Sequence, residues 1–261
     1  EAALIIAAII AASVAPAIAA PIVMAAMGWK GVANVWALGL VIAAVIFFAF
    51  TKDDPELAAR RASGTKPRSF AAQFEPLRNV QVWRFSLYYF FVFGAFVALS
   101  LWLPRYLIGV YGFDVATAGM LAAAYSIPAS VFRIYGGYLS DRVGARAVMY
   151  WTFLVSVAIT FLLSYPPTSY VVDGVRGPIS FRLETGPIAF VVAIFILGFF
   201  MSLGKAAVYK HIPVYYPKDV GAVGGLVGLI GGLGGFIMPI AFGLLNDLTG
   251  IWTSSFMLLF L

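Results

Sequence analysis

The 261-residue sequence has no cysteine and a single histidine, His211. The absence of cysteine excludes disulfides, thiol catalysis and cysteine-ligated metals. One histidine cannot form a metal-binding cluster, and neither an HExxH nor a P-loop pattern occurs in the sequence. The sequence therefore predicts no metal site and no cofactor, and we expect a protein that is not an enzyme.

Charged residues are also scarce, at 11% of the chain, whereas 62% of the residues are hydrophobic and the mean hydropathy is +0.97. A soluble domain of this length could not bury so much apolar surface. The composition therefore predicts an all-α polytopic membrane protein whose surroundings are the lipid bilayer. The net charge of +6 does not indicate nucleic-acid binding, because the basic residues flank the apolar runs, as the positive-inside rule predicts.

Apolar runs account for most of the chain, and a helix needs about 20 such residues to cross a bilayer. A tight turn is expected at Gly28-Trp29-Lys30-Gly31, between the first two runs. The last run is too short to cross and is predicted as a truncated helix. The runs cover residues 3–26, 32–50, 83–108, 114–139, 147–165, 187–208, 220–245 and 251–261.

Residues 52–82 interrupt this pattern with both charge signs and three prolines, which predicts a solvated linker. Because it is the most basic loop, we place it in the cytoplasm. The same orientation puts the loops at 140–147 and 209–219 inside and the segment 166–186 outside, where its prolines and glycines predict a hairpin-like loop.

The stretch 221–235 contains only glycine and small or medium apolar residues. Its glycines recur every three or four residues and would form one stripe on a helix. Each internal glycine costs a helix about 1 kcal/mol relative to alanine. A smooth glycine face offsets this cost by admitting a neighbouring helix or a small ligand to the backbone. Plain helix packing is the alternative to ligand binding. The stripe comprises Gly221, Gly225, Gly228, Gly232 and Gly235.

From Gly221 to Pro239 the sequence resembles the second glycine-rich signature of the nitrate/nitrite porters (NarK-type), a branch of the major facilitator superfamily. The resemblance implies a twelve-helix porter with two six-helix halves and alternating access. Residues 1–51 would then be the last two helices of the N-terminal half, 52–82 the linker between halves, and 83–261 the C-terminal half. Helices one to four of the same protein would be missing partners of this chain.

A second resemblance is to the cytoplasmic loop motif of major facilitator transporters, in the run Gly-Gly-Tyr-Leu-Ser-Asp-Arg-Val-Gly-Ala-Arg. Its acidic residue can face a helix N-terminus or a basic partner, and its arginines can bridge to a neighbouring helix end. The motif thus predicts a gate latch, and a basic turn that only fixes orientation is the alternative. Its residues are Gly137, Asp141, Arg142, Gly144 and Arg146.

Arg133 lies inside an apolar run, eight residues before Asp141, which is about 12 Å along a helix. An arginine at such depth costs at least about 2.5–3.5 kcal/mol on insertion scales and marks a functional site by default. Its planar fork suits a small planar oxyanion. No Asp or Glu occurs in the interior of the predicted spans. An arginine paired to a carboxylate from elsewhere is the alternative. In the porters that the chain resembles, an arginine at the matching position contacts the anion.

Tyr89 matches a binding tyrosine that these porters have shortly before a Phe-Gly step, and its hydroxyl can donate to an oxyanion without adding charge. A packing aromatic is the alternative. Gly228 is nine residues from Asp219, about 13 Å, so it reaches a level similar to that of Arg133. The predicted substrate-binding residues are Arg133, Tyr89, Gly224, Gly225, Gly228 and Gly231.

Lys205 is a candidate accessory residue. It would either influence the charge of the anion path or extend its side chain to the cytoplasmic interface.

The resemblance implies transport of nitrate, and of nitrite, across an inner membrane, with proton–nitrate symport as the preferred mechanism. Protons would then be partners of the anion. Nitrate/nitrite antiport and a porter for another small anion are the alternatives. A membrane scaffold that packs through its glycine face, without transport, is the alternative of another class.

Overall fold

The computed structural model describes residues 2–50, 63 and 71–261. Within these residues, five continuous helical stretches are long and apolar enough to cross a membrane. The helices are α1 (Ala2–Phe50), α2 (Val80–Tyr89), α3 (Phe96–Tyr111), α4 (Val115–Leu139), α5 (Ala145–Ser164), α6 (Pro187–Tyr215), α7 (Val220–Thr249) and α8 (Ser254–Phe260).

Most of the predicted linker over 52–82 lies outside the described residues. At its described end, a 3-10 helix spans Ala71–Arg78. The side chain of Asn79 then caps α2 by accepting a hydrogen bond from the backbone N–H of Gln81 at 2.9 Å. This capping fixes the start of α2 three residues earlier than the apolar run suggests, because the first turn of a helix is specified by its cap and not by hydropathy.

Helix α1 differs from the sequence prediction at Gly28. We expected a four-residue turn, but only Gly28 leaves the helical conformation, with φ 67° and ψ −177°. This φ lies in the left-handed region, which glycine enters without a Cβ clash. The two predicted spans are therefore two helical segments joined at a one-residue kink.

Two short π-helical segments join consecutive α-helices. The segment Phe90–Ala95 connects α2 to α3 within one span. The segment Ser140–Gly144 connects α4 to α5, and Gly144, with φ 88°, ends it. A side chain at Gly144 would be strained whatever the surrounding space. The predicted loop motif is therefore a helical connection, with its last glycine, Gly144, at a conformation that favours glycine.

The connections lie at two ends of the described spans. We call the end with Val80, the Ser140–Gly144 segment and Val220 the linker side. The opposite end, between α5 and α6, carries a β-hairpin of β1 (Thr168–Gly174) and β2 (Gly177–Leu183), and we call it the hairpin side.

The hairpin confirms the hairpin-like loop predicted at 166–186. Its strands are antiparallel, and the rings of Tyr170 and Phe181 stack across them with centroids 5.4 Å apart. Its residues are mostly exposed.

Helix α6 packs against both α4 and α5. Gly136 on α4 allows this approach, because a Cβ there would lie 2.7 Å from the Cα of Leu203 on α6. Nearby, the hydroxyl of Ser202 donates a hydrogen bond to the carbonyl of Ala129. Small residues let helix backbones approach closely in membranes, where lipid offers no hydrophobic drive for helix association. This contact holds α4 and α6, which carry the candidate site, side by side.

Candidate functional site

Arg133 lies on α4 with an exposed side chain that lines an open pocket of about 320 Å³. Its guanidinium carbon is 6.0 Å from the ring centroid of Tyr209 on α6. Within the described part of the chain, no carboxylate forms an ion pair with Arg133. Its guanidinium N–H groups therefore face a pocket large enough for a small anion. The pocket is lined by Ser130, Arg133, Ile134, Ala206, Tyr209 and Lys210.

Tyr89, at the end of α2, is 4% exposed and lies beside the same aromatic residue. Its ring is edge-on to that of Tyr209, with centroids 4.9 Å apart, and it stacks on Phe93 at 5.0 Å. The Tyr89 side chain interacts with both Arg133 and Tyr209. The structure therefore brings together a cation and a hydroxyl that the sequence places 44 positions apart on different helices.

Three glycines of α7 form the wall behind the tyrosines. The Tyr209 hydroxyl donates a hydrogen bond to the carbonyl of Gly224 at 3.3 Å. A Cβ on Gly228 would lie 2.9 Å from that hydroxyl, and a Cβ on Gly231 would lie 3.1 Å from Cε1 of Tyr89 and closer still to Cδ1. Larger residues at these positions would displace the two rings. We call Arg133, Tyr89, Tyr209, Gly228 and Gly231 the Arg133 cluster.

Gly225 is placed differently from the other predicted site glycines. No atom outside the local helix lies within 4 Å of a Cβ built on it, and the same holds for Gly221 and Gly232. The predicted single stripe is therefore divided: Gly228 packs on Tyr209 and Gly235 on Val97, whereas the other three glycines face space that no other described residue fills. The structure does not bring Gly225 into the Arg133 cluster.

Gly94, in the π-helical segment that follows Tyr89, packs backbone to backbone with α7. A Cβ on Gly94 would lie 2.7 Å from both the Gly231 carbonyl oxygen and the Gly234 Cα. A π-helical turn inserts an extra residue into the helix and is frequent at functional sites. Here the π-helical segment begins directly after Tyr89 and contains Gly94. The contact of Gly94 with α7 therefore positions Tyr89 against the α7 glycines.

Lys205 does not extend to the membrane interface. It is 4% exposed, and its ammonium nitrogen lies 3.0 Å from the ring centroid of Phe96 on α3. This finding overturns the alternative in which the side chain extends to the interface. The other alternative, an influence of Lys205 on the charge of the anion path, stays a prediction. Lys205 is buried because of helix packing: α6 lies between α4 and α5, so a side chain away from the helix ends contacts other helices before it can reach water.

The loop motif provides an ion pair at the linker-side mouth of the pocket. Asp141 accepts hydrogen bonds from the Lys210 ammonium at 2.6 and 2.8 Å. Lys210 also lines the pocket that contains Arg133. Of the two partners that the sequence allowed for Asp141, the structure thus shows the basic side chain.

Each of the two arginines of the motif lies over a tyrosine four residues away in the chain. The Arg142 guanidinium carbon is 4.8 Å from the Tyr138 ring centroid, and that of Arg146 is 5.6 Å from the Tyr150 centroid. Arg146 also donates a hydrogen bond to the Tyr150 hydroxyl at 3.3 Å. The Arg142 contact joins the π-helical segment to the adjoining end of α4, whereas the Arg146 contacts lie within α5. Gly137 has open space around its Cβ position.

Disrupting the ion pair between Asp141 and Lys210 will lower stability only slightly. Both side chains are largely solvated, with exposed fractions of 62% and 46%, and exposed pairs contribute about 0.2–1 kcal/mol. We expect a thermal-unfolding cycle of D141N, K210M and the double variant to give a coupling energy within that range, smaller at 0.5 M salt. The exposed Arg182–Glu184 pair in the hairpin is the matched control. A coupling of several kcal/mol would contradict the solvated geometry.

A second cavity, of about 380 Å³, lies on the hairpin side and is a poorer candidate for an anion site. Aromatic, apolar and hydroxyl residues surround it, among them Tyr106, Tyr111 and Trp252, and no charged residue is part of its lining. This cavity is larger than the pocket of Arg133, but it offers no cationic side chain to bind an anion.

Sequence reasoning missed Tyr209, which joins all parts of the cluster. A signal was present: Tyr209 follows Lys205 by four residues and therefore lies on the same face of α6. The π-helical segment after Tyr89 was also not predicted, because local sequence does not distinguish an i→i+5 turn from an α-helical one.

The fold and the pocket together define a multi-pass membrane protein with a cationic pocket among its helices. A sequence profile of the Major Facilitator Superfamily matches residues 2–179 and 111–261. The chain belongs to this superfamily. A crystal structure of the superfamily transporter FucP in the outward conformation has a similar fold, with a TM-score of 0.57 and 17% identity over 88% of this chain and 50% of that chain.

Curated relatives of the chain are named as nitrate and nitrite transporters. The chain is 42% identical over 237 residues to the "Probable nitrate/nitrite antiporter NarK1" of Thermus thermophilus, covering 90% of this chain and 52% of that protein. It is 29% identical to the "Nitrite extrusion protein" of Bacillus subtilis, covering 92% and 55% of the two chains. The chain thus spans about half the length of the curated relatives that it matches.

Proposed function

We propose that the full-length protein containing this chain transports nitrate, and nitrite, across the inner membrane by alternating access between two six-helix halves. Residues 1–51 belong to the N-terminal half, 52–82 form the cytoplasmic linker and 83–261 are the C-terminal half. The names of the relatives in Thermus thermophilus and Bacillus subtilis support the choice of substrate.

One observation carries the proposal: a guanidinium with no acidic partner among the described residues faces a pocket among apolar helices, beside two tyrosines. Arg133 supplies the charge, with Tyr209 at 6.0 Å and Tyr89 interacting with it. Two parallel N–H groups match two oxygens of a planar anion. In an apolar pocket such bonds are stronger than in water. Arg133 therefore neutralises the anion and Tyr89 donates a hydrogen bond to it.

The α7 glycines line the path beside these residues. Gly224, Gly228 and Gly231 hold the tyrosines in place, and the open edge at Gly225 leaves bare backbone for the other half of the protein or for the anion. At the linker side, the ion pair between Asp141 and Lys210 acts as a latch that forms and breaks once in each transport cycle.

Proton–nitrate symport is our proposal for the coupling. Nitrate/nitrite antiport is the second candidate, favoured by the printed name of the Thermus thermophilus relative. The two differ in what must be present on the opposite side of the membrane: a symporter needs a proton gradient, whereas an antiporter needs internal nitrite.

Uptake of labelled nitrate into liposomes with the purified full-length protein tests the proposal. We expect unlabelled nitrate and nitrite to compete, and formate or acetate to compete at least about tenfold less well, because the guanidinium fork selects shape as well as charge. Acid-outside liposomes loaded with buffer alone should accumulate nitrate under symport, and only nitrite-loaded ones under antiport. Effective competition by a carboxylate, with poor competition by nitrate, would reject nitrate as the substrate.

A further inference from the structure

Lys205 has a buried amine to which the proposed anion site gives no role. It lies ten residues before the end of α6 at Tyr215, about 15 Å along the helix, and five residues, about 8 Å, deeper than Lys210 at the linker-side mouth of the pocket. Its neighbour Ala206 lines the pocket of Arg133. Lys205 is thus adjacent in the chain to a residue that lines the proposed anion site, and its own side chain is buried next to that site.

The immediate contact of Lys205 is aromatic. Its ammonium nitrogen lies 3.0 Å from the Phe96 ring centroid, and the ring of Tyr125 packs on Phe96 from the other side of the helix interface, with centroids 4.9 Å apart. In the described residues, no ion pair or hydrogen bond to the ammonium group is present. The ring face attracts the cation but cannot replace its hydration.

The ionisable groups around Lys205 offer no negative charge. Arg133 on α4 acts on it electrostatically, and Tyr125 on α4, Tyr89 on α2 and Tyr209 on α6 contribute hydroxyls, not carboxylates. From α3 it meets Phe96, and the described parts of α5 and α7 at this depth carry no ionisable side chain. A protonated Lys205 would therefore be a second cation beside Arg133 in one apolar region, and within the described residues nothing would compensate it.

A second positive charge in this place costs free energy unless an anion is present to offset it. An anion on the Arg133 cluster would supply that compensation. Proton binding at the lysine and anion binding at the arginine would then favour each other, and this coupling is reciprocal by linkage.

We propose that Lys205 carries the proton that accompanies the anion. As the anion enters the Arg133 cluster, the amine accepts a proton from hydronium on the entry side: an O–H bond breaks and an N–H bond forms. When the anion leaves on the other side, that N–H bond breaks and the proton passes to water there. No electron moves, and each cycle transports one anion with one proton. This inference rests on the proposed function, since it requires an anion at Arg133. It names the residue that makes the transporter a symporter.

Two substitutions fix Lys205 in opposite charge states. K205Q is always neutral, and K205R is always charged because arginine does not deprotonate in proteins. Neither side chain can gain and lose a proton during transport, so both variants should lose the coupling of proton movement to nitrate movement, for opposite reasons. K218Q, at an exposed position on the linker side, is the matched control.

Two assays on the full-length protein in liposomes separate the inference from the function on which it rests. The first is exchange of labelled for unlabelled nitrate at equal pH, which needs no net proton movement. The second is acid-outside uptake with a pH-sensitive dye inside. The wild type and K218Q should show both, with about one proton per nitrate. We expect K205R and K205Q to retain exchange within about threefold and to lose proton uptake, with nitrate accumulation at least about tenfold lower.

A pH profile adds a readout that a purely structural role would not change. The wild-type KM for nitrate should rise by up to about tenfold per pH unit on the alkaline side, because the linked proton becomes scarce. The K205R profile should be flat.

Several results would overturn the assignment. Proton uptake that persists in K205Q would do so. A wild type that exchanges nitrate but takes up no protons in the acid-outside assay would also do so, and would leave nitrate transport intact. Loss of exchange in both variants, with unchanged thermal stability, would make Lys205 an anion ligand instead of the coupling group. Absence of any nitrate movement in the wild type would reject the proposed function itself.

Discussion

Replacing Arg133 with lysine is expected to lower nitrate uptake at subsaturating nitrate by about 10- to 100-fold. Lysine retains the positive charge but loses the planar fork, so one of two charge-assisted hydrogen bonds to the anion is lost. Such a bond contributes about 1.5–3 kcal/mol, and 1.4 kcal/mol corresponds to a factor of ten. Initial rates of labelled-nitrate uptake by the full-length protein in liposomes, measured over a range of nitrate concentrations, give the change in kcat/KM.

Arg105 provides the control for this substitution. It is an exposed arginine on α3 whose guanidinium carbon lies 5.2 Å from the Trp102 ring centroid, away from the pocket. R105K removes the same guanidinium fork outside the Arg133 cluster and should leave uptake unchanged. If R133K transported nitrate as well as R105K, the fork would have no part in binding. A scaffold without transport would be indifferent to both variants.

Replacing Gly231 with alanine is expected to raise the KM for nitrate at least about tenfold and to lower the melting temperature of the protein in detergent. The new Cβ would lie 3.1 Å from Cε1 and 3.2 Å from Cγ of Tyr89. The ring cannot move away easily, because Phe93 stacks on it at 5.0 Å and Tyr209 packs edge-on at 4.9 Å. Overpacking of this kind typically costs 1–3 kcal/mol, and about 1 kcal/mol of helix propensity gained from alanine offsets only part of it.

G243A, on the same helix, separates the clash from the change in propensity. A Cβ on Gly243 meets no atom within 4 Å outside the local helix. This variant should gain the propensity of alanine without a clash, so its melting temperature should be equal to or slightly above that of the wild type, with uptake unchanged. Equal behaviour of G231A and G243A would show that the glycine wall does not constrain Tyr89.

The predicted fold came from features that are local in the chain. Apolar runs at 83–108, 114–139, 147–165, 187–208 and 220–245 correspond to the spans of the structure within a few residues at most ends, because the period and length of a run are enough to specify a helix in a bilayer. Helix ends deviate where a cap or a following turn, and not hydropathy, decides them, as at Asn79 and at Tyr215.

The candidate site was predicted in part, since depth can be counted along a helix. Arg133 and Gly228 were placed at similar levels from their distances to Asp141 and Asp219, and in the structure both lie against Tyr209. Which face of each helix meets the other could not be derived in this way. Tyr209 and the division of the glycine stripe therefore emerged only from the packed helices.

The sequence alone determined that this is a helical membrane protein with a single arginine at depth and no acidic residue in the interior of its spans, because composition and periodicity are properties of the chain. Only the tertiary structure decided whether the Lys205 side chain is buried among helices or reaches the membrane interface. Lys205 has a side chain long enough to reach an interface, but α6 lies between α4 and α5, and its ammonium group ends on Phe96. Whether a cation is hydrated or buried depends on neighbouring helices, and the linear sequence does not contain that information.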